Sequence, residues 1–194
     1  MGISEYRESE HNINDIFINR WSPRAMSGET ISDDELFSLL EAARWAPSSY
    51  NNQPWRFVYA KRDTEHWDKL FNFLLEGNQT WVKDAAVLVV LISKTTSDHN
   101  GSFMRTHSFD TGAAWENLAL QGSINGFVIH GMQGLDYDRA TSELGVPDEY
   151  KVEMMFAIGK PGKTEDLPEK LQKIEKPSGR KKISEIVSEG KFDF

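Results

Sequence analysis

Cysteine is absent from the 194 residues. That excludes disulfides, thiol nucleophiles, thiolate zinc sites and protein-ligated iron–sulfur clusters. Any redox chemistry must then be carried by a bound organic cofactor. Long apolar runs are missing as well: the longest, residues 85–92, has eight residues, against the ~20 that span a bilayer. Residues 1–19 are polar and mixed in charge, without the apolar stretch of a secretion signal, so the expectation is a soluble cytoplasmic protein. Positive charge is scarce, with 22 Lys and Arg against 30 Asp and Glu, a net charge of −8 and a pI near 5.2. An acidic chain repels phosphate at long range, which argues against general binding of nucleic acid or an anionic membrane. Any phosphate site must be a local concentration of basic side chains.

The common catalytic signatures are missing too. There is no G-x-G-x-x-G, no Walker loop, no G-x-S-x-G and no H-E-x-x-H. The five histidines are scattered. Asp98, His99, His107 and Asp110 have no spacing that fixes a coordination geometry, so they read as loop and helix-start residues and no metal is expected.

What is present reads as alternating helices and strands, an α+β or α/β single domain over residues 1–194. Ser32 and Glu35 form a capping-box pattern, followed by Leu36, Leu39, Leu40 and Ala43 on one helical stripe, and Pro47 ends that helix. Residues 55–61 predict a strand. Residues 64–76 predict a helix with Trp67, Leu70, Phe71 and Leu74 inward and Gly77 as terminator. Residues 85–93, apolar without alternation, predict a strand buried on both faces. A helix over 107–125, a short strand at 127–131, a helix capped by Asp136 and ended by Gly145, and a strand over 151–159 complete the core. Beyond residue 160 the chain is charged, broken by Pro and Gly, and too poor in apolar residues for its own core, so it must pack on a neighbouring surface or stay disordered.

Four segments carry chemical potential. In Arg20-Trp21-Ser22-Pro23-Arg24, Pro23 pushes Ser22 away from helical geometry. In an extended segment Arg20, Ser22 and Arg24 then share a face and can converge on one anion. Arg180-Lys181-Lys182 offers a similar pair in Arg180 and Lys182. Guanidinium forks and an ammonium are what a phosphate monoester needs. Residues 47–55, Pro-Ser-Ser-Tyr-Asn-Asn-Gln-Pro-Trp, pack two serine hydroxyls and three amides into a loop held at both ends. Gly131 and Gly134 flank Met132 and Gln133 after the short strand, where glycine permits close approach of backbone to a flat ligand.

In this order and spacing, these segments resemble the nitroreductase family of FMN-dependent oxidoreductases, over about residues 14–189. The P-S-S-x-N-x-Q-P-W block is the most specific element and R-x-S-x-R the next. The resemblance implies a central mixed, mainly antiparallel sheet flanked by helices, with a C-terminal arm (about 160–194) embracing the partner of a homodimer. It implies FMN sites shared by the two subunits. Arg20, Ser22, Arg24, Arg180 and Lys182 would bind the ribityl phosphate and neighbouring hydroxyls, with Trp21 contributing backbone. Pro47, Ser48, Ser49 and Asn51 would come from the other subunit, with Gln53 and Trp55 holding their loop in shape. Gly131, Met132, Gln133 and Gly134 would line the isoalloxazine, with a backbone N–H near Gln133 directed at N5. The small residues of the helix between Gly112 and Gly122 would form a close dimer contact. The implied activity is ping-pong hydride transfer from NADH or NADPH to nitroaromatics, quinones, or activated alkenes or aldehydes. Other flavin chemistry on the same scaffold (dehalogenation, dehydrogenation or flavin cleavage) and a non-enzymatic flavin-binding protein are the alternatives. Two departures stand out. Trp21 occupies a position where the family often has a basic residue or His, and the stretch between 93 and 107 is short, which implies an open pocket. His130, Tyr50, Phe103 and Arg105 are the residues singled out for a possible part in acceptor selectivity.

Overall fold

The computed structural model describes residues 5–194; the first four residues of the polar N-terminal stretch lie outside this range. A short helix, α1 (Ile16–Asn19), precedes the basic segment. Helix α2 (Asp33–Arg44) begins with both halves of the capping box made: Glu35 N–H donates to Ser32 Oγ and Ser32 N–H to Glu35 Oε2. Leu36, Leu39 and Ala43 bury its inner stripe. Strand β1 (Trp55–Lys61) follows.

The single helix expected over 64–76 is two. Helix α3 (Trp67–Phe71) stops early, and α4 (Glu76–Val82) runs through Gly77 rather than ending there. Between them Phe73 and Leu74 are pulled out of helical register by a partner far away in sequence. Leu74 bridges to Leu135, Asp136 N–H donates to Phe73 O, and Leu75 N–H donates to Gly134 O. Burying Phe73 and Leu74 while satisfying these carbonyls outweighs the local preference for a continuous helix. The consequence for function is that the turn at 131–134 is bolted to the α3–α4 junction.

Strand β2 (Val87–Lys94) is buried along almost its whole length. Its side chains divide the core into two layers. Leu88, Val90 and Ile92 join Leu70, Phe73 and Trp81 on one face. Val87, Val89 and Leu91 join Leu36, Leu39 and Leu118 on the other. Side chains alternate across a strand, so a doubly covered one reads as an unbroken apolar run. Helix α5 (His107–Ile124) covers the second face, followed by β3 (Val128–Met132), α6 (Tyr137–Leu144) and β4 (Tyr150–Gly159). Asp136 caps α6 and Gly145 ends it in the left-handed region at φ 65°. The strands run β1-β2-β4-β3, and every pairing is antiparallel.

The register of β4 slips once. Leu91 pairs with Met154 and Ile92 with Val152, so Glu153 is an extra, bulged residue. The bulge turns its carboxylate toward the start of α5, where it accepts from Ser93 Oγ and Ser108 Oγ. The small residues of α5 serve the protomer's own interior. Ala114, Ala119 and Gly122 are buried, and a Cβ on Gly122 would stand 2.4 Å from Ile129. Only Gly112 of the pair that bounded the expected dimer contact faces open space. After β4, a short helix α7 (Glu169–Gln172) leads into the exposed tail.

Candidate cofactor site

The strongest concentration of positive charge lies where the chain returns to its own beginning. Arg7, Arg20, Arg24 and Arg180 line one cleft of about 360 Å³, together with Ser22 and Lys176. Arg20 reaches Ser22 Oγ through Nη1 (3.4 Å) and Glu116 of α5 through Nε (3.4 Å). Arg24 pairs with Glu175 of the tail at 3.5 Å, and the same carboxylate accepts the backbone N–H groups of Arg24 and Ala25. Arg180 bonds within its own segment, to Ser178 and Gly179. Its side chain is thus anchored locally while the guanidinium borders the cleft.

Arg7 was not suggested by the sequence. Its Nη1 donates to the carbonyls of Ile18 and Arg20 and its Nε to Ser178 O, at 2.7–2.8 Å. One guanidinium therefore clasps the N-terminal segment, the basic motif and the tail. Burial most of all, with Arg180 and Arg20 adding like-charge repulsion, pulls its pKa below the usual arginine range. No spacing rule links residue 7 to residue 178, so only the fold could reveal it. Lys182 lies outside this cleft; it lines a neighbouring groove of about 680 Å³ that shares Arg7 and Arg180 as its common wall.

The loop at 47–55 is not part of the cleft within one protomer. It lies at the first turn of α5, where Asp110 Oδ2 accepts Ser49 N–H. Glu116, beside Arg20, is six residues further along that helix. Tyr50, Asn51 and Gln53 all have positive φ, at 52°, 53° and 47°, a conformation that costs about 1–3 kcal/mol for each non-glycine residue. A dense set of bonds holds it there. Gln53 N–H donates to Ser48 Oγ and Gln53 Nε2 to Asn51 O. The Asn52 amide, nearly buried, donates to Thr96 O and accepts Asp98 N–H. Pro54 and Trp55 are buried beneath the loop, and Tyr50 projects almost fully into solvent. Asn52 is the anchoring residue that sequence reasoning passed over, because its burial depends on the distant 95–98 segment.

In the turn after β3 the expected reason for glycine, close approach of a flat ligand, gives way to packing by the protein's own side chains. Gly134 O accepts from Leu75 N–H and Asn78 Nδ2, and a Cβ at Gly134 would stand 2.8 Å from Asn78 Nδ2. At Gly131 the corresponding space is taken by Trp115 and Met154. Met132 turns its side chain into the core, so its backbone is what it offers to a ligand, while Gln133 is exposed. His130 faces Pro23 O, and Phe103 and Arg105 are exposed on the 95–106 segment.

Three comparisons bear on this arrangement. The sequence profile of the Nitroreductase family matches residues 18–80, which include the basic motif and the 47–55 loop. A protein of Archaeoglobus fulgidus, provisionally named NADH dehydrogenase/NAD(P)H nitroreductase, is 30% identical over 154 residues, covering 77% of this chain and 86% of its own. This chain belongs to the nitroreductase family. A solved structure described as an oxidoreductase containing FMN is 43% identical and superposes with a TM-score of 0.92 over 96% of both chains. A nitroreductase family protein of Clostridium difficile shares the fold at 22% identity, with a TM-score of 0.71 over 94% of this chain and 100% of its own.

In this nitroreductase-family chain no cluster of three or more His, Asp or Glu able to hold a metal is found among the described residues. Three of the four residues considered for one are engaged separately. Asp98 pairs with Lys94, Asp110 accepts Ser49 N–H and Thr106 Oγ1, and His107 Nδ1 lies 2.8 Å from Ser93 Oγ. No helix among the described residues is long and apolar enough to cross a membrane.

The bulged Glu153 yields a pH prediction. Burial raises its pKa, but bonds from Ser108, Ser93 and Lys151 together outweigh that and leave it below the ordinary glutamate value. A depressed carboxylate contributes stability that is present above its unfolded pKa and lost as pH falls through the folded one. Wild type should therefore lose stability faster than Glu153→Gln as pH falls below about 4.5, measured by urea midpoints. Parallel pH curves for the two proteins would refute this account of the bulge.

Proposed function

We propose that the protein is an FMN-dependent oxidoreductase that moves a hydride from NADH or NADPH to an electron-poor acceptor. The observation that carries this reading is the cleft of Arg7, Arg20, Arg24 and Arg180 in a chain of net charge −8. Guanidiniums gathered this closely repel one another, and a phosphate dianion offsets that repulsion through charge-assisted bonds. The 43% identical structure described as containing FMN supports the identity of the anion.

FMN, when bound, supplies the two-electron redox centre. Arg20, Ser22, Arg24 and Arg180 hold its phosphate end, with Trp21 contributing main chain and Lys182 approaching from the adjoining groove. Gly131, Met132, Gln133 and Gly134 present backbone to the ring, and the Gln133 N–H stabilises negative charge developing at N5. The chain needs no side-chain nucleophile for this chemistry. Its tasks are to hold the ring, admit donor and acceptor in turn to one face, and limit water.

We further propose that the site is completed by a second copy of the chain in a homodimer. Pro47, Ser48, Ser49 and Asn51 lie apart from their own protomer's cleft, on a loop held in a costly conformation with Tyr50 exposed. Such strain persists where the arrangement serves a ligand or partner. The arm over 160–194 exposes Ile183, Ile186, Val187, Phe192 and Phe194, an apolar set that wrapping around the partner would cover. Nitroaromatics, quinones and activated alkenes or aldehydes are the proposed acceptors, and the cytoplasm, where a nicotinamide donor is at hand, is the proposed location.

The test is the visible spectrum of the purified protein followed by anaerobic addition of NADH or NADPH. A yellow protein whose flavin extracts as FMN and is bleached by either donor fulfils the proposal. A flavoprotein that neither nicotinamide bleaches is a binder without this activity, and the catalytic reading fails.

A further inference from the structure

His130 is the one imidazole among the described residues that borders the cationic cleft, and it lies on β3 immediately before Gly131. Its Nδ1 is 2.8 Å from Pro23 O. A carbonyl can only accept, so Nδ1 carries a proton in this contact. Pro23 stands between Ser22 and Arg24, so a single bond joins the strand that leads into the 131–134 turn to the segment bearing the basic side chains. The ring is backed by Trp81 of α4, with centroids 4.6 Å apart. Glu175 accepts Arg24 and Ala25 N–H. The basic segment is thus held both by an imidazole on the sheet and by a carboxylate on the tail.

We infer that His130 is a positioning residue of the cofactor site, setting the phosphate-binding segment against the ring-lining turn through its Nδ1–H bond to Pro23 O, and that it takes up a proton when a phosphate dianion fills the cleft. The inference rests on the phosphate reading of that cleft. Burial is the largest influence on the free imidazole and disfavours its charge, as does Arg24. The carbonyls of Pro23 and Ser22 and the carboxylate of Glu175 act the other way, and the balance leaves the pKa below the ordinary histidine value. Arg7, Arg20, Arg180 and Lys176 border the same cleft, and Trp81 is uncharged. A bound dianion adds negative charge on this side and reverses the balance, so binding and protonation are linked.

Two variants separate the bond from the proton. His130→Asn keeps an amide donor close to the position of Nδ1 but does not titrate. His130→Phe keeps the packing on Trp81 and loses both. FMN affinity is read by quenching of flavin fluorescence at several pH values above about 7, where the phosphate ester itself is already a dianion. Proton uptake is read by calorimetry in buffers of different ionisation enthalpy. Wild type should bind more tightly as pH falls toward 7, by at most about ten-fold per pH unit for one linked proton, with net proton uptake. His130→Asn should match wild type at the alkaline end, lose the slope and take up no proton. His130→Phe should bind about ten-fold more weakly at the alkaline end, with a deficit that grows as pH falls because it also lacks the slope. Wild type that binds FMN with no pH slope and no proton uptake overturns the inference and spares the cofactor reading, as does His130→Phe binding as tightly as wild type. Wild type that does not bind FMN at all brings down the cofactor reading and the inference together.

Discussion

Protein in which both Arg20 and Arg180 are replaced by alanine should purify without flavin. Each guanidinium supplies charge-assisted bonds to the phosphate, worth about 1.5–3 kcal/mol apiece. Losing two therefore weakens binding by roughly 3–6 kcal/mol, or about 10²–10⁴ in Kd. The fold should survive. Arg20 has one charged partner, Glu116, whose side chain is 41% exposed, so water can solvate the carboxylate left behind. Arg180 bonds to Ser178 and Gly179 of its own exposed segment. Flavin content after dialysis, read beside far-ultraviolet circular dichroism, checks both halves. Full cofactor occupancy in a folded double variant would remove the phosphate from this cleft.

Gly162→Ala should damage stability and the site together. A Cβ at this position would stand 2.5, 2.6 and 2.9 Å from the C, O and N atoms of Met26. These are backbone atoms, so no side-chain rotation relieves the contact. The strip they belong to is pinned on both sides: Gly162 N–H donates to Ala25 O, Ser27 N–H donates to Lys160 O, and Met26 bridges to Pro161. Overpacking of this kind costs about 1–3 kcal/mol or more. The forced shift also reaches Arg24, two residues before Met26, so FMN affinity should fall in the same variant. Gly112→Ala is the control. Nothing lies within 4 Å of its Cβ position, and alanine in a helix interior gains about 0.5–1 kcal/mol over glycine. Urea unfolding midpoints should move in opposite directions for the two variants; a shared direction would show that the contact with Met26 is not what constrains residue 162.

The features legible in the sequence were those in which cause and effect are close along the chain. The Ser32–Glu35 capping box, the Asp136 cap and the Gly145 terminator each act within one helical turn, and all three are made. Strand β2 was legible because burial on both faces leaves an unbroken apolar run. The helix over 64–76 was misjudged because its interruption comes from Leu135 and Gly134, some sixty residues away. Periodicity cannot register a partner it does not contain. The small residues of α5 show the same limit: the pattern signalled close approach without naming the surface, and at Gly122 that surface is Ile129 of the same protomer.

The site divides along the same line. Arg20, Ser22, Arg24 and Arg180 were recognisable as side chains of the right chemistry, and the fold brings them to one cleft. Arg7 and Glu175 were invisible because each acts on backbone groups more than a hundred residues away. The conformation of the 47–55 loop was equally hidden. Nothing in the local preferences of Tyr50, Asn51 and Gln53 demands three excursions into positive φ within four residues. That geometry follows from anchors at Asp110, Thr96 and Asp98.

A side-by-side titration of cofactor-free protein with FMN and with riboflavin tests the account most directly, since the two ligands share the ring and differ only in the phosphate. Tight binding of FMN with riboflavin weaker by about a hundred-fold or more is the result the arginine cleft requires. Equal affinity for the two would mean that the cleft takes no part in holding the cofactor.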